Sequence, residues 1–253
     1  ALRSILPKLA EEEIIEVTKI YSAAGLLGGA LIKQRPFRSP HHTASPIAVV
    51  GGGSNPKPGE ISLAHRGILF LDELPEFRRD LLEALRQPLE SGQITISRAR
   101  TNIIFPAQFS LVAAMNPCPC GYYEDNEKEC KCSAHEVAYY QKKISGPLLD
   151  RIDLQIRVPR VKIKTLSKGA DFNSESQLVR EKVLAARKIQ QQRFGGYFTN
   201  SDMSSKKCDQ LIKLDLSAKN FIDTVLDKAL ISARGYYRIL KVGQTIADLE
   251  KSS

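Results

Sequence analysis

No apolar segment of this sequence approaches the length of a membrane span, and its first residues carry no signal-peptide pattern. A membrane-spanning helix is excluded, and cytoplasmic residence is the default expectation. No internal repeat and no low-complexity tract runs through the chain, which excludes solenoid and propeller architectures. Cysteine is scarce: five in 253 residues, four of them clustered and Cys208 alone. That pattern fits a metal cluster in a reducing compartment better than a secreted disulfide frame. Acid is also in deficit, with 28 Asp and Glu against 37 Lys and Arg, a net charge of +9. The imbalance favours an anionic partner, nucleic acid first, although surplus lysine on a solvated surface gives the same number. An initiator Met is missing too. Ala1-Leu2-Arg3 leads straight into helical sequence, as the interior of a longer protein would.

The composition that remains is that of an ordinary globular protein, 42% hydrophobic and 26% charged, long enough for one large or two modest domains. Glu11 to Ala24 predicts a helix, with Ile14, Val17, Ile20 and Tyr21 on one face and three Glu in the first turn. Arg35 to Gly59 is rich in Pro, Gly and Ser and reads as loop. Gly67 to Asp72 predicts a buried strand. Phe77 to Glu90 predicts an amphipathic helix that ends or kinks near Pro88. Ile94 to Phe105 predicts a hairpin with its tip at Arg98–Asn102. Phe109 to Met115 predicts a second buried strand. Ser133 and Glu136 make a capping box for a helix through Lys143, and Ile152 to Val158 predicts a third strand. Beyond residue 173 the strong patterns are helical: Gln177–Phe194, ended by Gly195-Gly196, then Ser217–Ser232 with Ser217 as cap, then Tyr236–Leu249.

Four short strings carry chemistry. Ile68-Leu69-Phe70-Leu71 runs into Asp72-Glu73, which sets two carboxylates at the carboxyl edge of a parallel strand, where open α/β sheets bind ligands. One such acid can hold magnesium, and the next can polarise a water that attacks a γ-phosphate. A buried strand leading into an acidic turn is the bland alternative, and it is the commoner one for the string alone. Ser110-Leu-Val-Ala-Ala-Met-Asn116-Pro117 ends a strand in an amide. Gly146-Pro-Leu-Leu-Asp-Arg151-Ile-Asp153 places an arginine in a turn. Ser232-Ala-Arg234-Gly-Tyr-Tyr-Arg238 places arginines at a helix start. An acid pair, an amide and two arginines, each at an element end, form a phosphoryl-transfer set. Either arginine read alone is equally a surface salt bridge.

In this order the strings resemble the AAA+ ATPases, specifically the magnesium-chelatase-like branch of the ComM (YifB) competence-protein type. Pro58-Gly-Glu-Ile-Ser-Leu-Ala-His-Arg-Gly67 looks like that branch's exit from its helix-2 insert. Arg35-Pro-Phe-Arg-Ser-Pro-His41-His42-Thr43 and Asn116-Pro-Cys-Pro-Cys-Gly121 are similar to ComM-type strings, and Ser232 to Leu249 to the closing helices. The resemblance covers nearly the whole chain, most loosely residues 160–215. It implies an α/β fold: a P-loop NTPase core with parallel sheet, helix-2 insert and presensor-1 hairpin over residues 1–160, then an all-α lid over 161–253. It implies ATP and Mg²⁺ as cofactors. Asp72 then matches the magnesium acid, Glu73 the catalytic glutamate and Asn116 the sensor 1 amide. Arg151 matches the arginine finger offered to a neighbouring subunit, and Arg234 the sensor 2 arginine. One departure is plain: the sequence contains no Gly-x-x-x-x-Gly-Lys-Ser/Thr string. The core is therefore read as truncated ahead of Ala1, and weak or absent ATP binding is expected.

The same resemblance makes the hairpin tip and the Gly51–Gly59 loop pore elements, with Arg98, Arg100 and Lys57 as candidate DNA contacts. Solvated hairpin tips collect charge in any protein. Arg35 and Arg38 are weaker candidates, and His41-His42 reads more simply as ordinary loop histidines. Cys118-Pro-Cys120 and Cys130-Lys-Cys132 match a tetrahedral zinc site in ligand number and type; four free thiols or two disulfides are the alternatives. The function implied by the resemblance is an ATP-driven ring motor, a homo-oligomer of hexameric type, acting on single-stranded or branched DNA as a helicase in recombination. The competing readings are a chelatase-type ATPase that remodels a protein partner for metal insertion, and a DNA-binding assembly module without turnover.

Overall fold

The computed structural model describes residues 2–98, 101–125, 127–158, 172–196, 198–227 and 231–252. They fall into two compact units: Lys8–Ile152, and Ala1–Pro7 together with Asp153–Ser253. The sequence placed a boundary after residue 160, which lies outside the described residues. It also placed the first seven residues with the α/β block. In the structure helix α1 (Leu2–Ile5) packs instead on the long helix that opens the C-terminal block.

The α/β unit begins with α2 (Glu11–Ala24), which has the predicted span, acids in its first turn and Gly25 in the left-handed region (φ 74°) at its end. The Pro- and Gly-rich stretch after Arg35 is less irregular than expected. It holds β1 (Phe37–Arg38), a short helix α3 (Pro46–Val50) capped by Ser45, and an antiparallel pair of β2 (Gly51–Gly52) with β3 (Lys57–Pro58). Helix α4 (Glu60–Leu63) then delivers the chain to β4 (Ile68–Leu71). Gly67 is required at that junction, since a Cβ there would meet the Pro36 carbonyl oxygen at 2.0 Å. The expected single helix after Phe77 is two, α5 (Arg79–Ala84) and α6 (Arg86–Ser91), preceded by a 3-10 turn at Leu74–Glu76. Pro88 sits in the first turn of α6, where no intrahelical donor is needed. The hairpin of β5 (Gln93–Arg98) and β6 (Thr101–Pro106) closes with Arg98 opposite Thr101.

Strand β7 (Ser110–Ala113) completes a three-stranded parallel sheet of order β1-β4-β7. The register pairs Phe37 with Ile68 and Leu71 with Ala113. β4 is central and is buried at Ile68, Leu69 and Leu71. Its core partners include Ile61, Leu74, Phe77, Leu81, Leu85 and Leu148. β7 is not the buried strand that was expected: its four residues are exposed or half-buried, because among the described residues it pairs on one side only. Helices α7 (Ala134–Gln141) and α8 (Gly146–Leu149) close the unit, α7 with the predicted Ser133–Glu136 capping box. The strand expected at Ile152–Val158 does not form, and Leu154, Ile156 and Val158 are exposed. No described strand pairs with that segment, so its alternation has no sheet to pack on.

Two polar networks lock the unit's base. Arg35 donates to both Glu13 carboxylate oxygens (2.8 and 3.2 Å) and to the Arg66 carbonyl (2.7 Å). Arg38 binds both oxygens of Glu60 at 2.5 Å. Both arginines are thus paired with this unit's own acids. Buried His65 accepts the Gln108 backbone N–H at Nδ1 (3.0 Å), which puts the proton on Nε2, 3.2 Å from Glu16.

The second unit is helical: α9 (Phe172–Phe194), α10 (Ser205–Leu211), α11 (Leu216–Asp227) and α12 (Ala233–Glu250). Gly195 (φ 67°) ends α9 as expected. The cap of α11 is Asp215, whose carboxylate accepts the Ala218 N–H at 2.6 Å, and not Ser217. Asp248 on α12, 1% exposed, accepts from Arg193 (2.5 Å), Gln190 (3.2 Å) and Asn200 (2.8 Å).

Two outcomes follow for stability. Asp248→Ala takes an acceptor from four side chains, those of Gln190, Arg193, Asn200 and Gln244, and is expected to destabilise the helical unit by on the order of 3 kcal/mol in urea unfolding; a loss below ~1 kcal/mol would contradict it. Burial lowers the pKa of His65, and Glu16 opposes that only in part. The unfolded chain therefore binds the extra proton. Stability from His65 is complete above about pH 6.5 and is lost as pH falls through the lowered folded value. His65→Gln is expected to flatten urea midpoints across that window.

Candidate functional site

The pairing of β4 with β7 sets the site. Beyond the strands two more backbone bonds continue it: Ala114 N–H to Leu71 O (2.9 Å) and Leu74 N–H to Ala114 O (3.0 Å). Asp72 and Glu73 leave β4 at the same carboxyl edge at which Ala114 to Asn116 leave β7. Glu73 and Asn116 line one cleft of about 390 Å³, with Glu76, Pro119, Glu136, Tyr139, Tyr140 and Lys143. Asp72 is exposed beside it, and its Oδ1 accepts the Glu73 backbone N–H at 2.9 Å. The acids and the amide expected together are therefore brought to one sheet edge.

Glu73 is held in the left-handed region (φ 53°, ψ 46°), unfavourable for a residue with a Cβ. The bend turns its carboxylate, half exposed, toward His42, whose Nδ1 lies 3.2 Å from Oε2. His41 packs on His42 with ring centroids 4.1 Å apart, and the His41 Nδ1 meets Thr43 Oγ1 at 2.9 Å. The loop histidines thus include a direct partner of the acid. Sequence reasoning also missed the α7 wall. Tyr140 and Lys143 face the cleft there, with Lys143 3.1 Å from Glu76. The capping box had located α7, but nothing in its sequence signalled which face met Asn116. The pKa of Tyr140 is raised, chiefly by burial and then by the Glu76 charge.

Arg151 stands elsewhere. Its guanidinium meets Glu90 at 2.5 Å and the Pro147 carbonyl at 2.6 Å, and its buried Nε has no partner. It lines a different cleft, of about 510 Å³, with Glu83, Arg86, Gln87, Glu90 and Ser91. The chain does not bring Arg151 into the cleft of Glu73 and Asn116. Arg234 is exposed in the first turn of α12, in the helical unit. Lys57 is exposed on β3. Arg98 is described by its backbone alone, at the end of β5, and Arg100 lies outside the described residues.

The four clustered cysteines converge. Their ligand atoms lie within 4.8 Å of one another, and Cys118, Cys120 and Cys130 are separated by 3.4, 3.6 and 3.7 Å. None of the five cysteines is in a disulfide, and Cys208 is a buried thiol in the helical core. Zinc–sulfur bonds of about 2.3 Å would put the corners of a tetrahedron about 3.8 Å apart, so the donor set fits Zn²⁺. Backbone N–H groups of Tyr122 and Lys131 hold the Cys120 thiol down to about 6. Cys132, although the Cys120 N–H is aimed at it, is pushed up to about 12 by desolvation and the neighbouring thiols.

Comparison with known proteins bears on what this edge belongs to. The family model for magnesium chelatase, subunit ChlI, matches residues 1–166, and that for the ChlI C-terminal region matches 173–253. The chain belongs to this magnesium-chelatase-like family. Within the family it is 49% identical over 250 residues to competence protein ComM of Haemophilus influenzae, covering 98% of this chain and 48% of that protein. It is 44% identical over 255 residues to the uncharacterized protein YifB of Escherichia coli, covering 99% and 49%. The magnesium-chelatase subunit ChlI of Bigelowiella natans is more distant, 24% identical over 135 residues, covering 51% and 31%. The chain spans about half the length of the ComM and YifB relatives. Membership fits the architecture: an AAA+-like α/β unit with a parallel sheet and a C-terminal helical region. No described helix is long and apolar enough to cross a membrane.

The left-handed backbone at Glu73 has a measurable consequence. Glu73→Gly is expected to leave stability unchanged or raise it by up to ~1 kcal/mol, because glycine adopts that region without strain. A loss above ~1 kcal/mol would show that the carboxylate is held for packing.

Proposed function

We propose that this chain supplies the acid edge and the helical lid of an ATP-driven ring motor that acts on DNA in the cytoplasm. One observation carries the reading: Glu73 and Asn116 share a cleft at the carboxyl edge of adjacent parallel strands. Asp72, exposed beside that cleft, is the residue that would hold magnesium, and the ion's contribution when bound is to neutralise phosphate charge. Glu73 accepts a proton from an attacking water, and its contact with His42 holds the carboxylate when that water is absent. Asn116 orients the water or the γ-phosphate.

Arg151 serves a neighbouring copy of the protein. Glu90 holds its charge at a second cleft of the unit, a different one from that lined by Glu73 and Asn116. A head-to-tail ring, a hexamer, would bring that cleft to the next subunit's edge. Arg234 is the second arginine of the set, on the lid. Lys57, Arg98 and Arg100 contact DNA phosphates from the pore-facing hairpins. The net charge of +9 supports a DNA substrate over the protein-remodelling reading that the chelatase relatives invite. Helicase activity on single-stranded or branched DNA is the finer form of the reading, and it rests on the resemblance of Arg35–Thr43 and Asn116–Gly121 to ComM-type strings. Zn²⁺ is assigned to the four clustered cysteines as a structural ion.

The chain contains no phosphate-binding Gly-x-x-x-x-Gly-Lys-Ser/Thr string, so by itself it is expected to bind ATP weakly and not to turn it over; tight binding in calorimetry would contradict this. In a protein joining this chain to such a loop, Glu73→Gln is expected to cut ATP turnover at least ~100-fold with nucleotide binding retained. Turnover that survives the change would remove the role given to Glu73. Binding to single-stranded DNA is expected to weaken linearly in log–log salt titrations, with the slope falling by ~0.7 for each of Lys57, Arg98 and Arg100 replaced by Ala. Unchanged slopes would exclude these residues as phosphate contacts.

A further inference from the structure

The cysteine cluster lies next to the cleft in sequence at both of its ends. Cys118 comes two residues after Asn116, and it is fully buried. Cys132 comes immediately before Ser133, the N-cap of α7. Between the two Cys-x-Cys pairs no helix or strand occurs among the described residues. The sulfur cluster therefore joins the exit of β7 to the start of α7. Those two segments carry the cleft's whole outer wall: Asn116 and Pro119 on one, Glu136, Tyr139, Tyr140 and Lys143 on or just beyond the other.

We infer that a metal ion bound by Cys118, Cys120, Cys130 and Cys132 is the clamp that sets this wall and positions Asn116 against Glu73. The inference rests on the zinc assignment above and is independent of the ATPase reading. Two direct hydrogen bonds tie the segments together across the cleft. Gln141 Nε2 donates to the Pro117 carbonyl at 3.1 Å, and the Asn116 backbone N–H faces the Tyr140 hydroxyl. Such neutral bonds at a solvent-open edge are weak, far weaker than four metal–thiolate bonds. Thiols are poor hydrogen-bond partners, so the thiols alone would not draw such a loop closed.

The surroundings of the sulfurs fit bound thiolates. The Tyr123 N–H points at Cys118 Sγ (3.3 Å), and backbone N–H groups of Tyr122 and Lys131 point at Cys120. Donors of this kind offset thiolate charge and fix ligand orientation around a metal. The clip is acidic at its far end, with Glu124, Asp125, Glu127 and Glu129 against Lys128 and Lys131. A nucleic-acid-binding knuckle would carry the opposite sign, so the ion serves the cleft and not DNA.

The test uses the purified chain with Co²⁺ and Zn²⁺ as probes. One ion per chain is expected. The Co²⁺ form should show sulfur-to-cobalt charge-transfer bands and the d–d bands of a tetrahedral site, both abolished in Cys120→Ser. Chelation of the wild-type chain, read by hydrogen exchange, should speed exchange at residues 114–119 and 134–143 by at least ~10-fold and leave the β5–β6 hairpin unchanged. Failure to bind one ion with that spectrum overturns both the zinc assignment and the clamp. Tetrahedral binding with exchange unaltered around Asn116 overturns the clamp alone. Neither readout involves nucleotide.

Discussion

The parallel pairing of β4 with β7 is the constraint on which the rest depends. Leu71 stands opposite Ala113, and two further backbone bonds carry the ladder past the strand ends to Leu74 and Ala114. A one-residue slip would turn Leu69 and Leu71 over and break those bonds. Because the register is fixed by buried apolar residues, the chemistry at its end is fixed too. The energy that places Glu73 beside Asn116 comes from Ile61, Leu69, Leu71, Leu81, Leu85 and Leu148, none of which has a chemical role.

Charge is distributed to match. Arg35, Arg38 and Arg66 are bound to Glu13, Glu60 and Glu16 at the base of the unit. Arg151 is held by Glu90 at a cleft of its own. Its guanidinium also donates to the Pro147 carbonyl, and its buried Nε has no hydrogen-bond partner. The acid edge shows a related economy. Glu73 accepts backbone strain that glycine would avoid, and His42 takes up its carboxylate. Strain of this kind persists where the surrounding fold over-determines the backbone.

Much of this was legible in the sequence where one physical signal dominated. The three glutamates and the Ile14, Val17, Ile20 and Tyr21 face marked α2, the Ser133–Glu136 pair marked α7, and the β-prone arms flanking Arg98–Asn102 marked the hairpin. The acid pair and the amide were legible because each follows an apolar run. Features governed by tertiary partners were not. Ile152–Val158 has a strand's alternation, yet no described strand pairs with it. His42 has no sequence sign of its contact with Glu73, which lies 31 residues away in the chain. The charge of Arg35 and Arg38 can be read from sequence, whereas their pairing with Glu13 and Glu60 cannot. Asp215 displaced Ser217 as a cap because either side chain suits that role and only the backbone path chooses.

The central claim is that the acid edge of one subunit works with Arg151 of the next. The most direct measurement mixes two inactive forms, Glu73→Gln and Arg151→Ala, in proteins that join this chain to a phosphate-binding loop, and follows ATP turnover of the mixed rings. Intact acids would then meet intact arginines at some interfaces, and turnover that neither form shows alone is the result the account requires. A mixture that assembles and stays as inactive as its parents would contradict it.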